Sequence, residues 1–357
     1  MIKDLAIFPI TKNMCAVARN NILLQDFEIK YLLSPSFLGL GGKDICHVDG
    51  GDESGKYITD YSHDKLTSCH TLFVDYDENI KEMAIYKEVI EAALSANVDV
   101  MMSREITKRL GKTVSTQYDS HTLNINSEVD RLYSVRVPVV TVLSQGVRVD
   151  QFAVELSLRK HFINSGYNVS QFGSSEASAL FGFQAFPSFL FDSICGYEKV
   201  LKLNKHIKKI TEDEKSDVLI LGVPGSTMKI NDQLLSGLGL IPFIVCNAVK
   251  CDLAIYCLYY EDFKEKYFDE ISNHCLYRFD IPVKHFNIAN SSLVPDTSSE
   301  TPKENYIDLK STFVFDHLLN NTSYKRHKLF NILDNKSATA LCSNVIDELS
   351  DNVDELR

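Results

Sequence analysis

The stretch from Pro138 to Phe162 constrains the fold of this chain most strongly, because three patterns follow one another in it. A buried, β-branched run ends at Ser144, a polar turn follows around Gly146, and an amphipathic helical pattern then reaches Phe162. A strand, a turn and a helix in this order place backbone N–H groups at a helix start, where a phosphate can bind. The sequence therefore predicts the βα unit of a phosphate-binding loop.

The same stretch lacks the side chains that hold phosphate in such loops. The last three positions of the G-x-x-x-x-G-K-[ST] pattern open a helix. When they are placed at the start of the predicted helix, the second Gly, the Lys and the hydroxyl residue fall on Asp150, Gln151 and Phe152. A second buried strand pattern, 216–226, holds no acidic residue at its carboxyl end, where phosphate-loop proteins carry a group that organises Mg²⁺. Both losses argue against ordinary nucleotide hydrolysis. The candidate cofactor-binding residues are Gly146, Arg148, Asp150, Gln151, Gly222 and Gly225.

Residues 1 to about 110 alternate strand and helix patterns. The buried strand patterns are Leu5–Pro9, Phe27–Leu33, Thr71–Asp75 and Val98–Met102. Strands that alternate with helices imply a parallel, doubly wound sheet. Asp75 ends its strand at the edge where such sheets bind ligands, which makes it a candidate catalytic residue. The alternative is that Asp75 caps the next helix, a role that Asp77 could also take.

A loop rich in glycine and aspartate, 38–55, interrupts this first domain. Its composition predicts a flexible, anionic loop, and its spacing does not fit an EF-hand. Long glycine-rich loops in compact domains are often functional, although many only connect elements. Lys43, His47 and Asp49 are the side chains to test, and His47 is a candidate acid–base group.

The composition shifts predict three parts. We expect a Rossmann-like α/β domain at 1–115, a degenerate phosphate-loop domain with a parallel sheet at 136–294, and a strand–helix extension at 306–357 that packs on the second domain. A polar stretch at 112–135 marks the boundary, and 295–304 has the composition of a linker.

In the second domain, Ser174 to Phe181 predicts a serine-capped helix with Glu176 in its first turn. Glu176 is either a third candidate catalytic residue or a group that answers the helix dipole.

Bulk charge excludes several partners. The formal net charge is −11 with a pI near 5.4, so no basic field attracts nucleic acid or an anionic membrane. No stretch reaches the roughly 18 uninterrupted apolar residues of a membrane span, and the apolar run at the N-terminus is too short for a signal peptide. We expect a cytoplasmic protein.

The nine cysteines are scattered, mostly in apolar runs, and no C-x-x-C pattern occurs. This distribution predicts reduced thiols and no metal site. A metal or redox protein built on these cysteines is the weakest of three functional hypotheses.

Several segments together resemble the peptide-maturation-system proteins of gene clusters for ribosomally made, cysteine-rich peptides. They are Val-Thr-Val-Leu-Ser-Gln-Gly146, the run from Leu158 to Gly173, Ser-Glu-Ala-Ser-Ala-Leu-Phe-Gly182, Leu-Gly-Val-Pro-Gly225 and Tyr277-Arg-Phe. The order of elements also looks like that of phosphate-loop N-acyltransferases related to D-glutamate N-acetyltransferase. In those relatives the loop carries Gly-Lys where this sequence has Asp150-Gln151. The resemblance implies a small Rossmann-like domain followed by a phosphate-loop domain.

Two functions follow from these observations. The first is a non-hydrolysing component of a peptide maturation system, which binds a precursor peptide or a maturation enzyme and needs no cofactor. The second is an enzyme that transfers an acyl group or activates a carboxyl, with a nucleotide or an acyl thioester bound at 146–151 and Arg148 as the phosphate ligand. The aromatic run 181–191 predicts core packing or a homodimer contact.

Overall fold

The computed structural model describes residues 2–111, 131–296, 303–319 and 327–354. In chain order, the strands are β1 (Lys3–Phe8), β2 (Phe27–Ser34), β3 (Ile58–Asp60), β4 (Thr71–Val74), β5 (Asp99–Met102), β6 (Val139–Ser144), β7 (Val169–Gly173), β8 (Gln184–Ala185), β9 (Val218–Ser226), β10 (Leu253–Leu258), β11 (Val283–Ile288), β12 (Ser291–Asp296), β13 (Lys303–Asp308) and β14 (Lys328–Phe330). The helices are α1 (Lys12–Arg19), α2 (Cys46–Asp49), α3 (His63–Thr67), α4 (Met83–Ser95), α5 (Arg104–Leu110), α6 (Gln151–Asn164), α7 (Gly196–Asp213), α8 (Leu240–Ala248), α9 (Glu265–Phe279), α10 (Ser311–Val314) and α11 (Asn335–Asp354). None of the helices in these ranges is long and apolar enough to cross a membrane.

The chain divides into two compact units, and its path between them is not simply sequential. The first unit contains residues 1–123 and 175–185, and the second contains 124–174 and 186–357. Most of the polar stretch 112–135, which the sequence marked as a boundary, lies outside the described residues.

The first unit is a Rossmann-like α/β fold. Its sheet has the strand order β3-β2-β1-β4-β5, and every neighbouring pair is parallel. Buried side chains of β1, β4 and α4, such as Phe8, Leu72 and Tyr86, form the core. The strand order reverses between β1 and β4, so this edge is where an open sheet of this type binds ligands. Strand β3 has three residues, too few for an alternating pattern to predict it.

The second unit is built on another parallel sheet. Its strands lie in the order β14-β11-β10-β6-β9-β7, with every neighbouring pair parallel. All side chains of β6 and β10 are buried, as expected for central strands covered on both faces. Strand β6, the central strand, carries the turn that leads into α6. The predicted fold class, a Rossmann-like domain followed by a degenerate phosphate-loop parallel-sheet domain, is confirmed.

The C-terminal residues complete the second unit. Strand β14 adds to the sheet beside β11, and α11 packs against α6 through buried residues such as Leu341 and Val345. Glu348 on α11 accepts hydrogen bonds from His285 Nε2 (3.0 Å) and Lys328 Nζ (2.5 Å). These contacts join the last helix to two adjacent strands.

Two local expectations differ from the structure. The segment 295–304, expected to be a linker, begins and ends in strands, because β12 and β13 pair as an antiparallel hairpin. Its residues 297–302 lie outside the described residues. The serine-capped helix expected in the second domain is a 3₁₀ helix, Glu176–Phe181, and it belongs to the first unit. Ser175 caps it by accepting a hydrogen bond from the Ala177 N–H at 3.2 Å.

Candidate functional site

The turn between β6 and α6, residues 145–150, occupies the position of a phosphate-binding loop. From β6 the chain runs to β7 and β9 on one side, and then crosses to β10 on the other. The connections therefore reverse direction at β6, and parallel sheets bind ligands beyond the carboxyl ends of the strands at such a point. The candidate residues Gly146, Arg148 and Asp150 all lie in this turn.

Gly146 is required by a tyrosine of the same unit. A Cβ atom at this position would lie 2.3 Å from the hydroxyl of Tyr259. That hydroxyl donates a hydrogen bond to the Val147 carbonyl at 2.7 Å, and the Tyr259 N–H donates to Gln145 Oε1 at 3.2 Å. The segment after β10 thus holds the turn in place, and Gly146 allows the ring to approach the backbone.

Gln151, the first residue of α6, is bound to the sheet. Its side-chain amide donates hydrogen bonds to the Val142 carbonyl at 2.9 Å and to the Val223 carbonyl at 2.8 Å. The group therefore links the start of α6 to β6 and β9. Counted strictly from Gly146, the Lys position of the phosphate-loop pattern falls one residue later, on Phe152, whose side chain is buried in the core. Under either alignment, the position contains no cation.

Arg148 is held by the β12–β13 hairpin. Its guanidinium donates to both carboxylate oxygens of Asp308, at 2.7 and 2.9 Å, and lies 5.1 Å from the centre of the Tyr306 ring. Arg148 has a left-handed backbone conformation, with φ of 61°, which side chains with a Cβ rarely adopt. The one cation among the candidate residues of the turn is therefore already paired within the chain.

Asp150 adds a buried carboxyl group at the end of the turn. Its backbone is also left-handed, with φ of 59°, and its carboxylate accepts a hydrogen bond from the Asn290 N–H at 3.2 Å. The neighbouring Val149 carbonyl accepts from the Asn287 side chain at 3.1 Å. These contacts fix the turn to the residues at the end of β11.

Gly222 lies in the middle of β9 and Gly225 near its carboxyl end, and the two have different reasons to be glycine. A Cβ atom on Gly222 would lie 1.9 Å from the carboxyl carbon of Glu155 on α6. Gly225 has φ of 86°, and its carbonyl accepts a hydrogen bond from the Ser144 hydroxyl at 3.1 Å. Both glycines serve contacts within the second unit.

Glu155 is a residue that the sequence analysis missed. It is fully buried, and its carboxylate accepts hydrogen bonds from the Ser174 hydroxyl (2.5 Å) and the Ser174 N–H (3.1 Å). Burial raises its pKa to about 8, and the hydrogen bonds from Ser174 oppose that rise. The available signal was an acidic residue inside the apolar run 152–158 of α6.

Asp75 and Glu176 lie at the carboxyl edge of the first unit's sheet. Asp75 is buried and accepts a hydrogen bond from the Thr11 hydroxyl at 2.6 Å. Burial raises the pKa of Asp75 to about 6, a rise that hydrogen bonds from Thr11, Tyr76 and Ser103 oppose and that Glu176 reinforces. Glu176 forms an ion pair with Arg104 at 3.0 Å. The structure thus brings two of the three candidate catalytic residues to one edge.

His47, the third candidate, contacts other residues of the glycine-rich loop. Its Nδ1 lies 3.1 Å from the Asp44 carbonyl oxygen. The Asp44 carboxylate accepts hydrogen bonds from the Cys46, Ser54 and Lys56 N–H groups, and Asp49 pairs with Arg19 at 2.6 Å. Hydrogen bonds therefore organise the loop that the sequence analysis expected to be flexible. Lys43 is exposed.

The cysteines form no bonded pair. All nine are free thiols, and seven of them are buried. Within the described ranges, no group of three or more His, Cys, Asp or Glu side chains is placed to hold a metal ion.

Comparison with known proteins supports the fold. No protein-family model matches the sequence, and no curated protein sequence does either. Among solved structures, the chain is similar to a DUF1611 family protein from Anabaena variabilis, with a TM-score of 0.58, 9% identity, and coverage of 97% of this chain and 99% of that one. A pseudomurein peptide ligase type C from Methanothermus fervidus matches at a TM-score of 0.27 and 11% identity, over 97% of this chain and 69% of that one. The first similarity shows the fold alone, and the second is too low to add to it.

Proposed function

We propose that this chain is a non-hydrolysing component of a ribosomal-peptide maturation system, which binds a precursor peptide or a partner enzyme through its phosphate-loop-like unit. The observation that carries this proposal is the pair of hydrogen bonds from the Gln151 amide to the Val142 and Val223 carbonyls. An amide that donates to two buried carbonyls links the start of α6 to the inner strands β6 and β9, and it carries no charge that could bind a phosphate.

The charges around the turn support the same proposal. Arg148 is paired with Asp308, and Asp150 adds a further carboxylate beside it. A nucleoside triphosphate carries several negative charges. A turn whose one cation, Arg148, is already paired and that also holds the carboxyl groups of Asp308 and Asp150 therefore disfavours its binding. A ligand with little net charge, such as a peptide segment, suits this surface better.

Titration of the full chain with ATP and Mg²⁺ in a calorimeter tests the proposal. We expect no saturable binding up to about 1 mM nucleotide. Tight, Mg²⁺-dependent binding of ATP would overturn the proposal.

A Gln151→Lys variant sharpens this test. We expect it to lower the free energy of unfolding by about 2 kcal/mol, because the longer Lys side chain cannot bond both the Val142 and Val223 carbonyls without burying its charge, and to gain no ATP binding. The exposed Gln233 gives a matched control, since Gln233→Lys adds the same charge without breaking these bonds. Urea denaturation measures the difference between the two variants. Equal stability of the Gln151→Lys and Gln233→Lys variants would show that the Gln151 hydrogen bonds do not stabilise the fold.

A second candidate function is acyl transfer or carboxyl activation, with a phosphate or a thioester bound at the 146–151 loop. One observation favours it: the guanidinium of Arg148 lies at the turn, and its partner Asp308 is 45% exposed. The test is in vitro peptide maturation with Arg148→Ala and with Glu176→Gln. Unchanged turnover in both variants would eliminate this candidate.

A further inference from the structure

The β12–β13 hairpin is attached to the turn through one face of β13. Alternate residues of a strand point to the same side, so Tyr306 and Asp308 share a face. On that face, Asp308 pairs with Arg148, while the Tyr306 ring lies 5.1 Å from the same guanidinium and 5.9 Å from the Tyr259 ring. The opposite face carries Ile307, which is 54% exposed.

The base of the hairpin is held by the rest of the second unit, where Leu309 packs against the hydrophobic core and Ser291 is buried. The hairpin forms a two-stranded sheet of its own. At its base, the Tyr260 N–H donates to the Ser291 carbonyl (2.7 Å) and the Leu309 N–H donates to the Asn290 carbonyl (3.0 Å). A two-stranded hairpin is at best marginally stable alone in water, so beyond this base the position of β13 depends on contacts such as those of Tyr306 and Asp308.

We propose that the surface covered by β13, which includes Arg148 and Tyr259, is a groove for an extended peptide segment of a partner. In that segment, one residue separates an aromatic residue from an acidic residue. This inference rests on the proposed binding function and names the chemistry of its ligand. The incoming carboxylate replaces Asp308 on Arg148, and the incoming aromatic ring replaces Tyr306 against Tyr259. The hairpin is then an internal competitor that keeps the groove covered until a partner displaces it.

Charge complementarity selects this ligand over a polyphosphate. The exchange of one carboxylate for another leaves the charge beside Arg148 and Asp150 unchanged, whereas a polyphosphate would add negative charge next to Asp150. One terminal nitrogen of Arg148 donates to both carboxylate oxygens while the guanidinium lies near the Tyr306 ring, so the site suits a carboxylate next to an aromatic side chain.

The test uses the chain's own strand as the probe. A fluorescently labelled peptide with the sequence of residues 303–309, Lys-Glu-Asn-Tyr-Ile-Asp-Leu, is titrated into the full chain and followed by fluorescence anisotropy. In the wild type, the covalently attached strand competes at high effective concentration. The double variant Tyr306→Ala/Asp308→Asn removes that competition, and we expect it to bind the peptide at least about ten-fold more tightly than the wild type does.

Three controls make the outcome specific. Adding Arg148→Gln to the double variant should abolish the gain, and so should replacing Tyr and Asp in the peptide by Ala and Asn. Asp232→Asn, which breaks the exposed pair of Asp232 with Lys229, should leave binding at the wild-type level. If the double variant is poorly folded by circular dichroism, Asp308→Asn alone serves as the milder variant.

The possible results separate this inference from the proposed function. The groove proposal is wrong if a folded variant with weakened hairpin contacts binds the peptide no more tightly than the wild type. It is also wrong if the tighter binding does not depend on Arg148. Tight ATP binding by the wild type would overturn the non-hydrolysing function and leave the groove standing. Absence of both ligands would reject the groove and retain the non-hydrolysing assignment.

Discussion

Glu155 and Gly222 are in close contact, so each of them limits the size of the side chain that fits at the other position. The carboxyl group of Glu155 lies where a Cβ atom of residue 222 would be. Closely packed interiors do not absorb an added methyl group without shifting backbone or side chains. Gly222, which the sequence suggested as the start of a turn that lost a metal ligand, therefore lies within β9 and makes room for a carboxyl group from α6.

We expect Gly222→Ala to lower the free energy of unfolding by about 3 kcal/mol, because the new methyl group overlaps Glu155. Urea denaturation measures the loss. Gly196→Ala is the matched control, because a Cβ atom there meets nothing within 4 Å. Combining Gly222→Ala with Glu155→Ala should recover part of the loss, and strictly additive effects would contradict the contact.

The pKa of Glu155 predicts how stability changes with pH. Its folded-state pKa of about 8 lies above its ordinary value of 4.5, so the folded protein keeps a proton that the unfolded chain releases. The contribution of Glu155 to stability is therefore complete below about pH 4.5 and is lost as the pH rises to about 8. Glu155→Gln should flatten this part of the profile in urea denaturation between about pH 5 and about pH 8. Glu270→Gln, at an exposed ion pair, should retain the wild-type slope.

At the scale of elements, the Asp44 carboxylate joins distant parts of the glycine-rich loop of the first unit. Asp44 accepts hydrogen bonds from the N–H groups of Cys46, Ser54 and Lys56. Burial raises the pKa of Asp44, but the hydrogen bonds from Cys46 and Ser54 together outweigh it and hold the pKa below its ordinary value. The Asp44 carboxylate thus joins the backbone at residues 46, 54 and 56 of the loop.

We expect Asp44→Asn to loosen this loop while the parallel sheet stays intact. An amide oxygen is a weaker acceptor than a carboxylate, so the amides of Cys46, Ser54 and Lys56 should exchange hydrogen at least about ten-fold faster. Hydrogen-exchange mass spectrometry measures this change. The exposed Asp52 gives the control, because its backbone carbonyl, and not its side chain, accepts from Arg19. Unchanged protection in Asp44→Asn would show that other contacts hold the loop.

Comparison of sequence and structure shows which elements could be predicted. The apolar run before Gly146 and the periodic run after Gln151 predicted β6 and α6, because local patterns encode buried strands and helices. The absence of a phosphate-binding lysine was also visible. The pairing of Arg148 with Asp308 was not, because it joins residues 160 positions apart. The β12–β13 hairpin was missed because its polar composition is also that of a linker.

For the whole molecule, two hydrophobic cores imply two units that can open separately. Leu72 lies in the core of the first unit and Leu219 in that of the second, and neither is exposed to solvent. Replacing either leucine by alanine should cost about 2 to 5 kcal/mol, because it leaves a cavity. The local loss should appear in the unit that contains the substitution.

Hydrogen exchange in segment 175–185 distinguishes the two variants. Because this segment belongs to the first unit, we expect Leu72→Ala to accelerate its exchange and Leu219→Ala to leave it nearly unchanged. Amides of β6 and β10 should show the reverse response. If the segment instead followed Leu219→Ala, its assignment to the first unit would be wrong.

The path of the chain has a consequence for synthesis. The first unit needs residues 175–185, which the ribosome makes only after β6, α6 and β7 of the second unit. Chains fold progressively as they emerge, N-terminal parts first. The first unit therefore stays incomplete in the nascent chain until a substantial part of the second has been made, and a fragment that stops at residue 123 is missing one of its parts.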